Sequence, residues 1–371
     1  MSPVVGTSQI GNGCAPQVVW VYRRNRKQWL QEWMRGERSS EFFYGLLSLR
    51  DRYQVTFVED DGPNPFSRMW YPLELIIARR IGMGFALHVA VRHLRTLNSA
   101  RVVISTGDAC GLPLALLKRI GLLRSRLIYI SQGLSDRIEA HGRQQWLSRQ
   151  YRRLLLAVDD LVTLSAGARI GLANWLSIPV DSIHILPFGT DCEFWHNTAS
   201  SGAVRTHIVS VGSDQGRDYA TLLAGSGDLP LHIVSQHRLP LQGKPGVVQT
   251  TEHTPLELRD IYSRALFVVI PLHDRAQPSG QSAALQAMAC SKAVILTKTR
   301  GWWGEAFLRD GENCVLVPPG EVRALQQAMR RLWSDSEICG RIGSRARETV
   351  VQSFNGERMV ACLSELICAN L

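Results

Sequence analysis

Short β-branched runs alternate with longer amphipathic stretches along this chain, and the alternation begins twice. In the first half, strand-length apolar runs fall at Val18–Val21, Val55–Val58, Val102–Ile104, Leu127–Ile130, Asp160–Thr163 and Ser182–Leu186. Helical spacing separates them at Phe85–Leu97, Gly111–Ile120, Gln144–Ala157 and Ala166–Leu176. The pattern restarts with His207–Val211 and Arg217–Leu223. Strand-like runs follow at Leu231–Ser235, Val247–Gln249, Leu266–Ile270, Ala293–Thr297 and Cys314–Val317. Helices are predicted at Pro255–Arg264, capped by Thr254, and at Glu321–Trp333, where Val322, Leu325, Met329 and Leu332 form a core-facing stripe. Strands that are apolar from end to end, with helices between them, specify parallel sheets covered on both faces. The expected fold class is therefore α/β, with two doubly wound Rossmann-like domains facing across a cleft. The expected division is a flexible tail at 1–16, a first Rossmann-like domain at 17–190, a polar linker at 191–205 and a second Rossmann-like domain at 206–355. A last helix at 356–371 is expected to pack back on the first domain.

Two loops carry the chemistry. In the segment Gln277–Ala289, a buried strand runs into Ser279, Gly280, Gln281 and Ser282 and then into a helix. Such a turn aims free backbone N–H groups, and the positive end of a helix dipole, at whatever sits above the sheet. The segment Val211–Leu223 repeats the arrangement. Gly212 and Gly216 allow close backbone approach, and Arg217 supplies a planar cation suited to phosphate. Asp218 either orients Arg217 or caps its own helix, and capping fits its position better. His184 sits in a strand pattern, and His253 precedes the capping Thr254. Phe194 and Trp195 read as packing or as an anchor at the interdomain seam, and Trp302 and Trp303 as packing or as a platform for a ligand.

Ser165, the Pro187–Asp191 turn, Gly212 with Arg217, the Gly280 loop with Gln286–Ala289, and Asp310–Gly320 occur in the order seen in family 4 glycosyltransferases. From Val18 to Phe354 the chain resembles that family, in a variant with Ser-Gly-Gln at the loop. The resemblance implies a GT-B fold, a nucleotide-sugar donor held mainly by the second domain, and transfer with retention of configuration. It also implies no cofactor and no bound metal. The expected donor site is Gly212, Ser213, Arg217, Asp274, Ser279, Gly280, Gln281, Ser282 and Gln286, of which Ser213, Arg217, Gly280, Gln281, Ser282 and Gln286 are matched to the family's motifs, and the expected catalytic set is Arg217, Gln132 and Asp108. Asp108, Gln132 and Asp274 are candidate sugar or acceptor contacts. Three positions depart from the family pattern. Ser213 stands where many members have arginine, Pro278 where they have a first glutamate, and Gln286 where a second glutamate binds the donor ribose. Glutamine still donates and accepts hydrogen bonds but loses charge-assisted strength. Ser131, Gln132 and Gly133 replace a loop that often holds a histidine.

Charge adds an asymmetry. Residues 1–190 hold 24 Lys and Arg against 14 Asp and Glu, whereas 191–371 hold 18 of each, so the net +10 belongs to the first half. A basic first domain suits an acceptor at an anionic membrane surface, with Arg143–Arg153 and Leu117–Arg126 as the candidate patches. The eight cysteines show no Cys-x-x-Cys spacing, which suits reduced thiols in a cytoplasmic protein. The first residues lack a basic region followed by an apolar core. The longest apolar candidate for a span, Leu73–Val91, is broken by Arg79 and Arg80. The leading expectation is a retaining glycosyltransferase that moves a sugar from a nucleotide-diphosphate sugar to a glycan or lipid-linked acceptor, in polysaccharide or glycoconjugate biosynthesis. It would be cytoplasmic, with peripheral contact to the inner membrane face. A sugar-nucleotide epimerase of the same fold lacks its acid/base residues at the motif loops. A non-catalytic nucleotide-sugar or carbohydrate-binding relative is the reading from another class. Nucleic-acid binding rests on charge alone and has no recognised module behind it.

Overall fold

The computed structural model describes residues 17–141, 145–199, 207–304 and 306–369. The chain divides into two compact units. The first comprises 1–30, 43–186 and 360–371, and the second 31–42 and 187–359. The tail predicted at 1–16, part of the predicted linker (200–205), Arg143 and Glu305 lie outside the described residues.

Unit 1 holds a six-stranded sheet: β1 (Val18–Val21), β2 (Val55–Val58), β3 (Val102–Ser105), β4 (Arg126–Ile130), β5 (Asp160–Thr163) and β6 (Ile183–Ile185). Their spatial order is β2-β1-β3-β4-β5-β6, and every pairing is parallel. The central strands β1 and β3 are buried along their whole length, as a sheet covered on both faces requires.

Unit 2 holds β7 (His207–Val211), β8 (Leu231–Val234), β9 (Val247–Thr250), β10 (Ala265–Ile270), β11 (Val294–Thr297) and β12 (Val315–Val317). These lie in the order β12-β11-β10-β7-β8-β9, again all parallel. Read from β7, this is the strand order of dinucleotide-binding sheets, with its topological switch point between β7 and β10. The helix Pro255–Arg264 starts as its sequence dictates. Thr254 and Glu257 close a reciprocal capping box, and Pro255 occupies the first turn.

The structure differs from the sequence expectation in three places. The period over Phe85–Leu97 is interrupted at His93, whose backbone leaves the helical region and separates Leu87–Arg92 from Leu94–Ser99. Residues 31–42 group with unit 2 rather than with the rest of 17–190. Residues 191–199 also belong to unit 2, where Trp195 is buried edge-on against Phe194 and Tyr262. That aromatic burial outweighs the small, polar composition which suggested a linker. Residues 360–371, which include most of the helix Gly356–Cys368, group with unit 1, the domain on which that helix is expected to pack. There Leu363 approaches Gly45, and Ser364 shares a hydrogen bond with Tyr53.

Candidate functional site

The loops that leave β7 and β10 flank the switch point of unit 2 and converge on one side chain. Arg217 lies across Gly212, which adopts φ +148°, and its Nη1 would be 3.0 Å from a Cβ placed on Gly280. Only glycines leave room for the guanidinium there. Asp218 N–H donates to the Pro271 carbonyl and His273 N–H to that of Gly216, which ties the two loops together. Arg217 is 6% exposed, with Nε 2.9 Å from Asp214 Oδ2. Nε and Nη1 have no geometrically sound hydrogen-bond acceptor among the described residues. A buried cation with unused donors is costly unless an anion meets it. Asp214 also accepts from the Ser279 hydroxyl (2.6 Å) and from Gly216 N–H (2.9 Å). Burial alone would raise the Asp214 carboxyl; the Arg217 charge and these hydrogen bonds outweigh it and hold the group below the usual aspartate range.

Gly280 is the N-cap of the helix Gln281–Ala289 in the left-handed region (φ +73°), with no side chain capping the first turn. The positive end of that helix's dipole lies beside Arg217, an arrangement suited to an anion. The structure thus brings Gly212, Arg217, Ser279, Gly280 and Gln281 together.

Other expected donor residues are occupied within the protein. Ser213 Oγ accepts from Gln236 N–H at 2.9 Å, which joins the loops after β7 and β8. Asp274 accepts from Arg300 N–H (2.8 Å) and pairs with its Nε (3.0 Å), stapling the loop after β10 to the one after β11. Ser282 lies in the first turn of the Gln281 helix. Gln286 is buried, and its amide donates to Glu41 at 2.9 Å. Asp218 caps the helix Tyr219–Gly225 through Thr221 N–H, and it is Asp214 that pairs with Arg217. Trp302 is buried, and Trp303 packs edge-on against Phe354. His253 bonds to Thr250 at 2.7 Å.

In unit 1, Asp108 and Gln132 lie together at the carboxyl ends of β3 and β4. Asp108 accepts from the Tyr129 hydroxyl at 2.7 Å and from Gln132 N–H at 3.3 Å. Gln132 Nε2 donates to Tyr44 Oη (2.6 Å) and to the Thr106 carbonyl (2.9 Å). Burial pushes the Asp108 carboxyl up, against the opposing pull of the Tyr129, Ser131, Gln132 and Gly133 hydrogen bonds.

A cavity of about 440 Å³ missed by the sequence analysis opens nearby in the same unit, lined by Arg23, Arg24, Arg68, Tyr71 and Phe85 among others. On its wall His88 is clamped between Glu74 (Nδ1–Oε1 2.9 Å) and Asp60 (Nε2–Oδ1 3.2 Å). Asp214 was within reach of sequence reasoning, three residues before Arg217 in the same turn. Glu41, 245 positions from Gln286, was not.

These features define an α/β protein with an anion-ready switch point. Comparison with known proteins agrees. Residues 204–335, which contain both unit 2 loops, match the family model for glycosyl transferases group 1. The O-antigen chain mannosyltransferase C of Escherichia coli is 22% identical over 242 residues, covering 59% of this chain and 64% of that protein. The lipopolysaccharide core biosynthesis glycosyltransferase LpsE of Rhizobium meliloti (strain 1021) is 27% identical over 104 residues, 28% of this chain and 29% of LpsE. The chain thus aligns with less than two thirds of either relative. Among solved structures, sucrose-phosphate synthase from Thermosynechococcus elongatus superposes with a TM-score of 0.69 at 14% identity, over 95% of this chain and 98% of that one. Anabaena HepE in complex with UDP-glucose superposes with a TM-score of 0.70 at 12% identity, over 95% and 100%. The fold is GT-B, two doubly wound parallel-sheet units.

Proposed function

We propose that the protein is a nucleotide-sugar-dependent glycosyltransferase of family 4 that transfers a sugar to a glycan or lipid-linked acceptor with retention of configuration. The observation that carries this reading is the buried, incompletely satisfied Arg217 guanidinium beside the uncapped Gly280 helix at the unit 2 switch point. A nucleotide diphosphate placed there meets a fixed cation and the positive end of a helix dipole, which stabilise the charge that grows as the glycosidic phosphate leaves. The relatives point the same way, towards O-antigen and lipopolysaccharide assembly in their own organisms. No metal is needed in this reading, because Arg217 and the helix terminus offset the diphosphate charge.

The acceptor falls to unit 1. That unit carries the excess positive charge, and its exposed Ile120 and Leu122 adjoin Arg119 and Arg124, while exposed Trp146 shares a helix with Arg149, Arg152 and Arg153. Such mixed surfaces favour peripheral contact with an anionic membrane. No described helix is long and apolar enough to cross a membrane.

A thermal-shift and calorimetric screen against uridine, guanosine and adenosine diphosphates and their sugars tests the donor site. Stabilisation by one base series, abolished in Arg217→Ala, is expected; indifference of the wild type to every nucleotide refutes the reading. The non-catalytic alternative is favoured by one observation, the amide at Gln286 in place of a carboxylate. It predicts nucleotide binding without donor hydrolysis or transfer by the purified protein.

A further inference from the structure

Glu41 belongs to the segment 31–42 that joins unit 2, and it is 2% exposed. Its Oε1 accepts two hydrogen bonds of 2.9 Å, one from the Trp195 indole Nε1 and one from the Gln286 side-chain amide. An indole N–H can only donate. Glu41 Oε1 is therefore an acceptor whether the carboxyl is ionised or neutral, and any proton resides on Oε2, the oxygen that takes no part in the Trp195 and Gln286 bonds. The consequence passes to Gln286. A buried glutamine amide can present either end, and its neighbours decide which. Here Gln286 has to turn its NH₂ towards Glu41, so its carbonyl Oε1 faces the other way, with no hydrogen-bond partner among the described residues.

Gln286 lies six residues into the helix that Gly280 opens, roughly 9 Å along the axis. A ligand whose phosphates sit at the helix N-terminus, and whose remainder follows the helix, brings its next hydroxyls towards that carbonyl. Resting on the nucleotide-site reading above, we infer that Glu41 is a positioning residue. It locks the Gln286 amide so that an acceptor, never a donor, meets the ribose hydroxyls of the ligand. The lock restores to glutamine the acceptor character that a carboxylate would have at this position. It also makes the site sensitive to whether those hydroxyls are present, since an unmet acceptor is penalised.

The test compares binding of the best ribonucleoside diphosphate with that of its 2′,3′-dideoxy analogue by calorimetry. The wild type is expected to favour the ribonucleotide by tenfold or more. Glu41→Gln keeps an acceptor oxygen for both Trp195 and Gln286, and its preference is expected to stay within twofold of wild type. Glu41→Leu removes the lock, and the preference is expected to fall below threefold while the dideoxy analogue still binds. Full preference retained in Glu41→Leu overturns the inference and leaves the nucleotide reading standing. Failure of the wild type to bind any nucleotide overturns both. Should Glu41→Leu fail to fold, the wild type itself decides through the side-chain NH₂ resonances of Gln286, assigned by their loss in Gln286→Met. Slow solvent exchange, unchanged on adding nucleotide, is the expected result; rapid exchange in the free protein overturns the lock.

Discussion

Replacing Gly212 with alanine perturbs the proposed diphosphate site without touching a polar side chain. Gly212 has φ +148°, and a Cβ there would lie closer than 3.0 Å to Nε, Cζ and Nη2 of Arg217. Two costs follow. Holding a non-glycine residue at such a φ costs about 1–3 kcal/mol, which lowers the melting temperature of a domain this size by roughly 2–10 °C. Relief of the overlap has to come from Arg217, because the clash is with its guanidinium. That moves the cation off its 2.9 Å contact with Asp214 and away from the Gly280 turn. One charge-assisted interaction with a bound diphosphate is worth about 1.5–3 kcal/mol, so the dissociation constant is expected to rise about 10- to 150-fold. Calorimetric titration with the tightest nucleoside diphosphate, alongside thermal unfolding, reads both effects. The two separate cleanly, since loss of stability without loss of affinity means that Arg217 is not the phosphate cation. Affinity within threefold of wild type in a folded Gly212→Ala protein refutes the reasoning.

Other substitutions give contrasting outcomes. Gly340 lies inside the helix Ser336–Ser353, and a methyl group added there would meet nothing within 4 Å, so Gly340→Ala is expected to stabilise by up to about 1 kcal/mol; a fall in melting temperature would contradict this. Burial, opposed by the hydrogen bonds from Gln286 and Trp195, raises the Glu41 carboxyl above the usual glutamate range. A native state that binds the proton more tightly than the unfolded chain loses stability as pH rises from the ordinary glutamate value through the raised one. Glu41→Gln removes that titration, so its melting temperature relative to wild type is expected to climb over this window, and a constant difference across pH would count against the burial argument.

The sheets were legible because each central strand is apolar throughout and each helix has its own period. In β1, β3 and β10 neither signal competes with the other, and the observed bounds fall within about two residues of those expected. The convergence of Gly212, Arg217 and Gly280 was legible for a different reason. Glycine at a strand end followed by a helix is a local signature, and the strand order supplies the rest by making β7 and β10 neighbours. Asp274 and Ser213 show where locality fails. Both lie in the expected loops, yet Arg300 and Gln236, from loops distant in sequence, occupy their oxygens. Nothing in the residues of a loop reveals which other loop will reach it.

Gln286 presents the same limit in its sharpest form. By itself it is a departure from the pattern of the family the sequence resembles, a neutral side chain where a carboxylate is expected. Its partner Glu41 is contributed by a segment that composition and order assign to the other domain, so the carboxylate missing from the helix is supplied from elsewhere in the fold. The pair carries one negative charge at most, as a single glutamate would, but that charge sits behind the amide. The position facing the helix groove then offers a neutral acceptor. Such an arrangement can hold neutral hydroxyls without setting a second anion near the phosphates that the proposed donor site assigns to Arg217. On that argument the amide at Gln286 is compatible with donor binding and catalysis, and its meaning depends on Glu41 rather than on the residue alone.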